Sequence, residues 1–266
     1  MAGGSDHSAA RARIGGAVQF FATCIIEHVR PAVGLAAINV LERLGLEVRY
    51  PENQTCCGQP AFNAGAREDA RAMAQQTIAC LSESDAPVIV PSGSCGDMIA
   101  HQYAALLADD PVWAARARSL ADRTFEFSQA VTALGGQFAG SAVARPVTYH
   151  ATCHLLRGLE IREEPGALLD QAVGTDRVPL PGAEECCGFG GLFSVKMSEI
   201  SSAMMTRKLD QVDATGARTL VACDSSCLLH LEGGLRRRGS ATEVKHLAEV
   251  LDACTTAQAT ASKAGR

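Results

Sequence analysis

The chain is predicted to be an α/β protein made of two similar halves, each a small parallel sheet flanked by helices in the Rossmann-like manner. Three observations predict this. Cys24, Cys56, Cys57 and Cys95 recur as Cys153, Cys186, Cys187 and Cys227 at offsets of 129, 130, 130 and 132 residues, and self-similarity at a fixed period marks an internal duplication. Short apolar runs alternate with helical patterns, which implies βαβ units and parallel sheets. Each cysteine motif follows the end of such a run, where parallel sheets place their ligands.

Residues 1–13 are small, polar and without periodicity, and read as a disordered leader. Gly16–Phe21 is then a strand ending at Thr23-Cys24, and Pro31–Leu44 a helix with Val33, Ala37, Val40, Leu41 and Leu44 on one face. Leu46–Tyr50 is a second strand, stopped by Pro51; the loop carrying Cys56-Cys57-Gly58 leads to a helix over 66–81. Pro87–Val90 is a third strand running into Ser92-Gly93-Ser94-Cys95, with a helix over 97–107, and Arg123–Phe127 is a fourth. The connector 137–146 separates an N-terminal domain, 14–140, from a C-terminal one, 146–254. There the order repeats: Pro146–His150 before Cys153, Arg177–Leu180 before Cys186, Thr219–Ala222 before Cys227, and Glu243–His246. Residues 255–266 read as a flexible tail.

The 266 residues are enough for two cores. Eleven cysteines are far fewer than a small disulfide scaffold carries. Met1–Asp6 shows no signal-peptide pattern, so a reducing cytoplasm is expected, where clustered cysteines do metal or redox work. A formal charge of −5 and the absence of a long apolar run argue against nucleic acid and against direct membrane insertion. Any membrane association would be peripheral, through partners.

Vicinal cysteines in an extended chain point apart and bridge to each other poorly. Cys-Cys-Gly therefore reads as a pair of thiols converging on something else. Four per half, Cys24, Cys56, Cys57 and Cys95, then Cys153, Cys186, Cys187 and Cys227, suffice for a [4Fe–4S] cluster, one or two per chain. Zinc is the rival, since four thiolates also make a tetrahedral site, although zinc knuckles with paired Cys-x₂₋₄-Cys spacing are not complete here. Cys80 and Cys254 have no counterpart in the other half and are expected in the core. Gly58 and Gly188 are expected to turn the backbone sharply and aim N–H groups at sulfur. His150, His154, Arg157 and His230 flank the motifs, as hydrogen-bond donors to a cluster, proton carriers or anion holders, or as ordinary rim residues. His150 reads more readily as a rim residue, His154 equally as either. Arg236-Arg237-Arg238 reads as a solvated helix end, and Met197, Met204 and Met205 as core.

A lone Cys, Cys-Cys-Gly about thirty residues on, and a terminal Cys about thirty-five further resemble the CCG-domain (cysteine-rich) family over roughly residues 17–252. His150–Arg157 and Cys186–Lys196 are similar to its LutA-type lactate-utilisation branch, with the CCG-bearing component of heterodisulfide reductase a more distant member. The resemblance implies iron–sulfur or related metal centres at the CCG motifs. It also implies an electron-transfer role in the oxidation of L-lactate to pyruvate, within a complex of other subunits that includes a ferredoxin-like iron–sulfur protein. In the full family motif the terminal segment is Cys-x-x-Cys; here Ser92 and Asp224 stand where the penultimate thiols would be, and Cys223 and His154 are the added candidates for ligation. A thiol–disulfide redox subunit and a zinc-stabilised scaffold are the alternatives. No catalytic residue, substrate or electron acceptor is legible.

Overall fold

The computed structural model describes residues 7–254. Two four-stranded parallel sheets form, one per half. The first comprises β1 (Ala17–Phe20), β2 (Glu47–Arg49), β3 (Val88–Val90) and β4 (Thr124–Glu126) in the order β2-β1-β3-β4. The second comprises β5 (Val147–Tyr149), β6 (Arg177–Val178), β7 (Thr219–Ala222) and β8 (Glu243–His246) in the order β6-β5-β7-β8. All eight strands fall inside the runs predicted above. Pairing registers superimpose as well: Phe20 is paired with Ile89 and Tyr149 with Val221.

In each sheet the chain leaves its first strand toward one edge and later returns to build the other. The reversal falls between β1 and β3, and between β5 and β7. Open parallel sheets bind ligands in the crevice at such a switch point, outside the carboxyl ends of the strands. Cys24 and Cys95 follow β1 and β3; Cys153 and Cys227 follow β5 and β7.

The halves share a core. Helix Leu247–Asp252 packs on helix Pro31–Arg43, and helix Phe127–Ala133 on helix Glu164–Val173, so each half lends its last helix to the other. Val40, Leu41, Phe127, Leu168, Leu169, Leu247 and Leu251 are fully or almost fully buried in one continuous apolar cluster. Two smaller clusters lie under the cysteines, one in each half. At the rim of the shared core, Arg43 bonds the carbonyls of Leu251 and Asp252 and pairs with the Asp252 carboxylate at 2.9 Å.

Two segments differ from expectation or escape it. The leader expected over 1–13 contains a helix from His7 to Ile14. Its sequence lacks an apolar stripe, but Ala and Arg are good helix formers, Ile14 is fully buried, and Arg13 stacks over the Phe125 ring at 5.1 Å. One anchor and one cation–π contact hold a segment that periodicity alone misses. The tail over 255–266 lies outside the described residues, as do residues 1–6.

Candidate functional site

The eight matched cysteines gather into two groups, and all are unbridged. In the first half, Cys24 opens a helical turn directly after β1, Cys56-Cys57 comes from the loop after β2, and Cys95 lies in helix Gly93–Asp97 after β3. Their side chains touch in series: Cys24 with Cys56, Cys56 with Cys57, and Cys57 with Cys95, whose sulfurs are 3.3 Å apart. In the second half Cys153, Cys186, Cys187 and Cys227 repeat the series.

Glycine makes this convergence possible. Gly58 and Gly188 adopt φ of 82° and 90°, where a side chain is strained. Each also lies against the second helix that follows it: a Cβ on Gly58 would sit 3.3 Å from the Ala70 carbonyl, and one on Gly188 2.7 Å from the Ser201 carbonyl. The sharp turn aims the Gly188 N–H at Cys186 Sγ, 3.4 Å away, and the Gly58 N–H at Cys56 in the same way.

The electrostatics follow. Cys56 is pulled down to about 3 by S–H donation from Cys24 and Cys57, aided by the Gly58 N–H. Cys186 is pulled down to about 2 by Cys153 and Cys187, aided by Gly188. Their donors Cys24, Cys57, Cys153 and Cys187 are raised, chiefly because their protons are held by the neighbouring sulfur. Each group thus holds one ready thiolate. Ionising both Cys57 and Cys95, whose sulfurs are 3.3 Å apart, would cost about 5 kcal/mol of repulsion at an effective dielectric of ~20. A cationic centre removes that cost, and the donor set fits thiophilic metal.

The environments of the two groups differ. Phe21 N–H bonds the Ile89 carbonyl at 3.0 Å, and His150 N–H bonds the Val221 carbonyl at 2.9 Å, so Phe21 and His150 are structural equivalents. The offset of 131 that aligns Ala70 with Ser201, against which the two glycines lie, matches Thr77 with Lys208, and the offset of 132 that aligns Cys95 with Cys227 matches Met98 with His230. Three neutral residues around the first group become three nitrogen bases around the second. Lys208 is only 1% exposed, and its ammonium donates to the Gly182 carbonyl. His150 is fully buried; with Cys187 and Cys227 it places three ligand atoms within 4.8 Å of one another.

Ser92 and Asp224 meet across the boundary between the halves. Each caps its helix: Ser92 Oγ accepts from Cys95 N–H at 3.4 Å, and Asp224 Oδ1 from Ser226 N–H at 3.1 Å. Asp224 Oδ2 accepts from Ser94 N–H at 2.9 Å and from Ser92 Oγ–H at 3.2 Å. Residues 224–226, with Phe189 and Gly191, line the cavity over the first thiol group. The first site is therefore walled partly by the second half.

The two added candidates do not join the thiols. Cys223 is buried in the shared core, where it receives a weak hydrogen bond from the Tyr149 hydroxyl at 3.7 Å. Residues 223 and 224 at the end of β7 face opposite ways, as extended neighbours do. His154 turns to the first half: its Nδ1 bonds Asp97 Oδ2 at 2.7 Å, which raises its pKa, and His101 bonds the other oxygen at 2.9 Å. Cys80 and Cys254 bond backbone carbonyls of Glu52 and Val250, away from both groups. Sequence reasoning undervalued His150. Its signal was its place one residue beyond β5, where Phe21 stands in the other half.

Two parallel switch-point crevices, each holding the cysteines of a CCG motif, define a duplicated cysteine-rich domain protein. The cysteine-rich domain family (CCG) matches residues 18–100 and 147–232, and the chain belongs to it. Among its relatives, Lactate utilization protein A of Shouchella clausii is 44% identical over 236 residues, covering 88% of this chain and 98% of the relative. Proteins of the same name from Bacillus pumilus and Bacillus subtilis are 43% and 42% identical, each over 88% of this chain and 98% of their own length. Among the described residues no helix is long and apolar enough to cross a membrane.

Proposed function

We propose that the protein is an iron–sulfur electron-transfer subunit of an oxidoreductase in lactate utilisation, where L-lactate is oxidised to pyruvate. The observation that carries the reading is the gathering of four thiols at the switch point of each half, with one sulfur already acidified by neighbouring donors. The names of the relatives, matched over almost their whole length, support lactate as the metabolic context.

Cys24, Cys56, Cys57 and Cys95 would hold a cluster in the first half, and Cys153, Cys186, Cys187 and Cys227 are the matching ligands in the second. A bound cluster supplies one-electron chemistry, its potential set by net charge, hydrogen bonds to sulfur and exposure. The chain's own residues supply the rest. Gly58 and Gly188 deliver backbone N–H groups to the second cysteine of each set, and Asp224 fixes Ser94 beside Cys95. The apolar clusters beneath keep water from the buried side of the sulfurs. Partner subunits would bring the hydroxy acid and its oxidant, among them a ferredoxin-like iron–sulfur protein. Free thiols in this number suit a reducing, cytoplasmic setting.

The test is anaerobic purification followed by iron and sulfide analysis. A brown protein with iron and sulfide in equal amounts, lost when Cys56-Cys57 is changed to serine, and a cluster reduced by lactate only with the partner subunits present, are the expected results. Protein free of iron and sulfide after anaerobic reconstitution would overturn the reading.

A further inference from the structure

We propose that His150 is a metal ligand of the second site: its Nε2, together with Cys187 and Cys227, takes a single divalent ion of the zinc class. Cys186, in contact with Cys187, is the fourth donor within reach. The two thiol groups then hold different centres, and the reading above narrows to one cluster per chain, in the first half.

Three observations carry this. The His150 ring is fully buried, and its Nε2 has no hydrogen-bond partner. A buried polar atom without a partner is costly, and a native protein seldom keeps one without use. Secondly, Nδ1 lies 3.1 Å from the Ala183 carbonyl, which only accepts, so the proton sits on Nδ1 and the Nε2 lone pair is free. Metal-bound histidines are oriented in this way, the far nitrogen donating to a carbonyl or carboxylate. Finally, Nε2 and the sulfurs of Cys187 and Cys227 lie mutually within 4.8 Å, the one such trio of His, Cys, Asp or Glu among the described residues. Ligands at bond lengths of about 2.1 and 2.3 Å on one tetrahedral ion stand about 3.6 Å apart, a small adjustment from this spacing.

The comparison between halves sharpens the point. Phe21 occupies the equivalent position over the first thiol group and brings no donor atom. The sulfurs follow the same series in both halves, so the added imidazole is what sets the second group apart; the first, with thiolates alone, suits a multi-iron centre whose metals each take one thiolate. Imidazole with thiolates suits zinc instead.

The experiment uses the full chain purified without oxygen, loaded with zinc alone, and compared with His150→Asn. An asparagine amide can still donate to the Ala183 carbonyl but puts no lone pair at the Nε2 position. X-ray absorption at the zinc edge should show nitrogen beside sulfur in the first shell, with the nitrogen lost in His150→Asn. Zinc affinity of the second site should fall at least tenfold, while the unfolding midpoint of the metal-free chain stays unchanged. His150→Cys should retain the zinc with an all-sulfur shell. An all-sulfur shell in the native chain, or unaltered zinc affinity in His150→Asn, would overturn the assignment. Iron and sulfide measured after separate reconstitution distinguish it from the electron-transfer reading. Two clusters per chain that exclude zinc defeat this inference alone; zinc with a nitrogen shell and no iron anywhere defeats the electron-transfer reading alone.

Discussion

Replacing Asp224 by alanine tests how far the second half builds the first site. The carboxylate is 2% exposed and accepts from Ser94 N–H at 2.9 Å, Ser92 Oγ–H at 3.2 Å and Ser226 N–H at 3.1 Å. Loss of the cap on helix Ser225–Arg238 costs about 1 kcal/mol. Leaving the Ser94 N–H buried without its charged acceptor costs about 2 kcal/mol more. Unfolding of 266 residues carries an entropy of ~2.1 cal/mol/K per residue, so about 3 kcal/mol corresponds to a midpoint lowered by about 5 °C. Asp224→Asn keeps one oxygen for the Ser226 cap but lacks a second acceptor for Ser94, and should lose about half as much. Thermal melts of the metal-free chain measure both. Labelling of Cys95 by a thiol reagent should quicken in Asp224→Ala, because Ser94 and Cys95 share the helix that the carboxylate anchors. A melting point within about 1 °C of the native chain would refute the claim that this bond ties the halves together.

Other consequences can be measured independently. Glu126, 2% exposed, is raised from 4.5 to about 7 by burial, partly offset by donors from Ser128 and Gln129, with Glu164 adding to the rise. A carboxyl raised on folding binds its proton more tightly when native, so its contribution is present below about pH 4.5 and is lost as pH rises through about 7. The span is about 3 kcal/mol at ~1.4 kcal/mol per pKa unit, and urea midpoints of Glu126→Gln should show that slope removed. Gly188→Ala should cost at least about 3 kcal/mol and unseat Cys186, since positive φ adds to a hard backbone contact. Gly58→Ala, with its nearest contact at 3.2 Å, should cost less, about 1–2 kcal/mol in the same urea titration. Cys223→Ser should leave metal content unchanged in elemental analysis, because that sulfur faces the shared core.

Strands and site positions were legible because both depend on local pattern. Val88-Ile89-Val90 is apolar on both faces and flanked by breakers, so it reads as a buried strand wherever it sits. The regular cysteine offsets, joined to the rule that parallel sheets bind at their carboxyl ends, bring Cys24, Cys56, Cys57 and Cys95 together before any coordinate is known. Arg236-Arg237-Arg238 also behaves as read: Arg236 pairs with Glu232, and Arg238 with Asp210 and Asp213, at a solvated helix end. Met197, expected in the core, is about half exposed instead, since it falls between two helices rather than on one face.

The sequence by itself determined the duplication, the parallel sheets and the eight converging sulfurs, all of which follow from periodicity and from thiols needing a shared partner. Only the tertiary structure decided where neighbouring side chains point. His150 enters the second thiol group while His154, four residues on, crosses to Asp97 in the other half. Likewise Ser92 and Asp224, 132 residues apart, close on each other as a bond between the halves. Direction of that kind is set by packing between elements distant in the chain, and no local pattern records it.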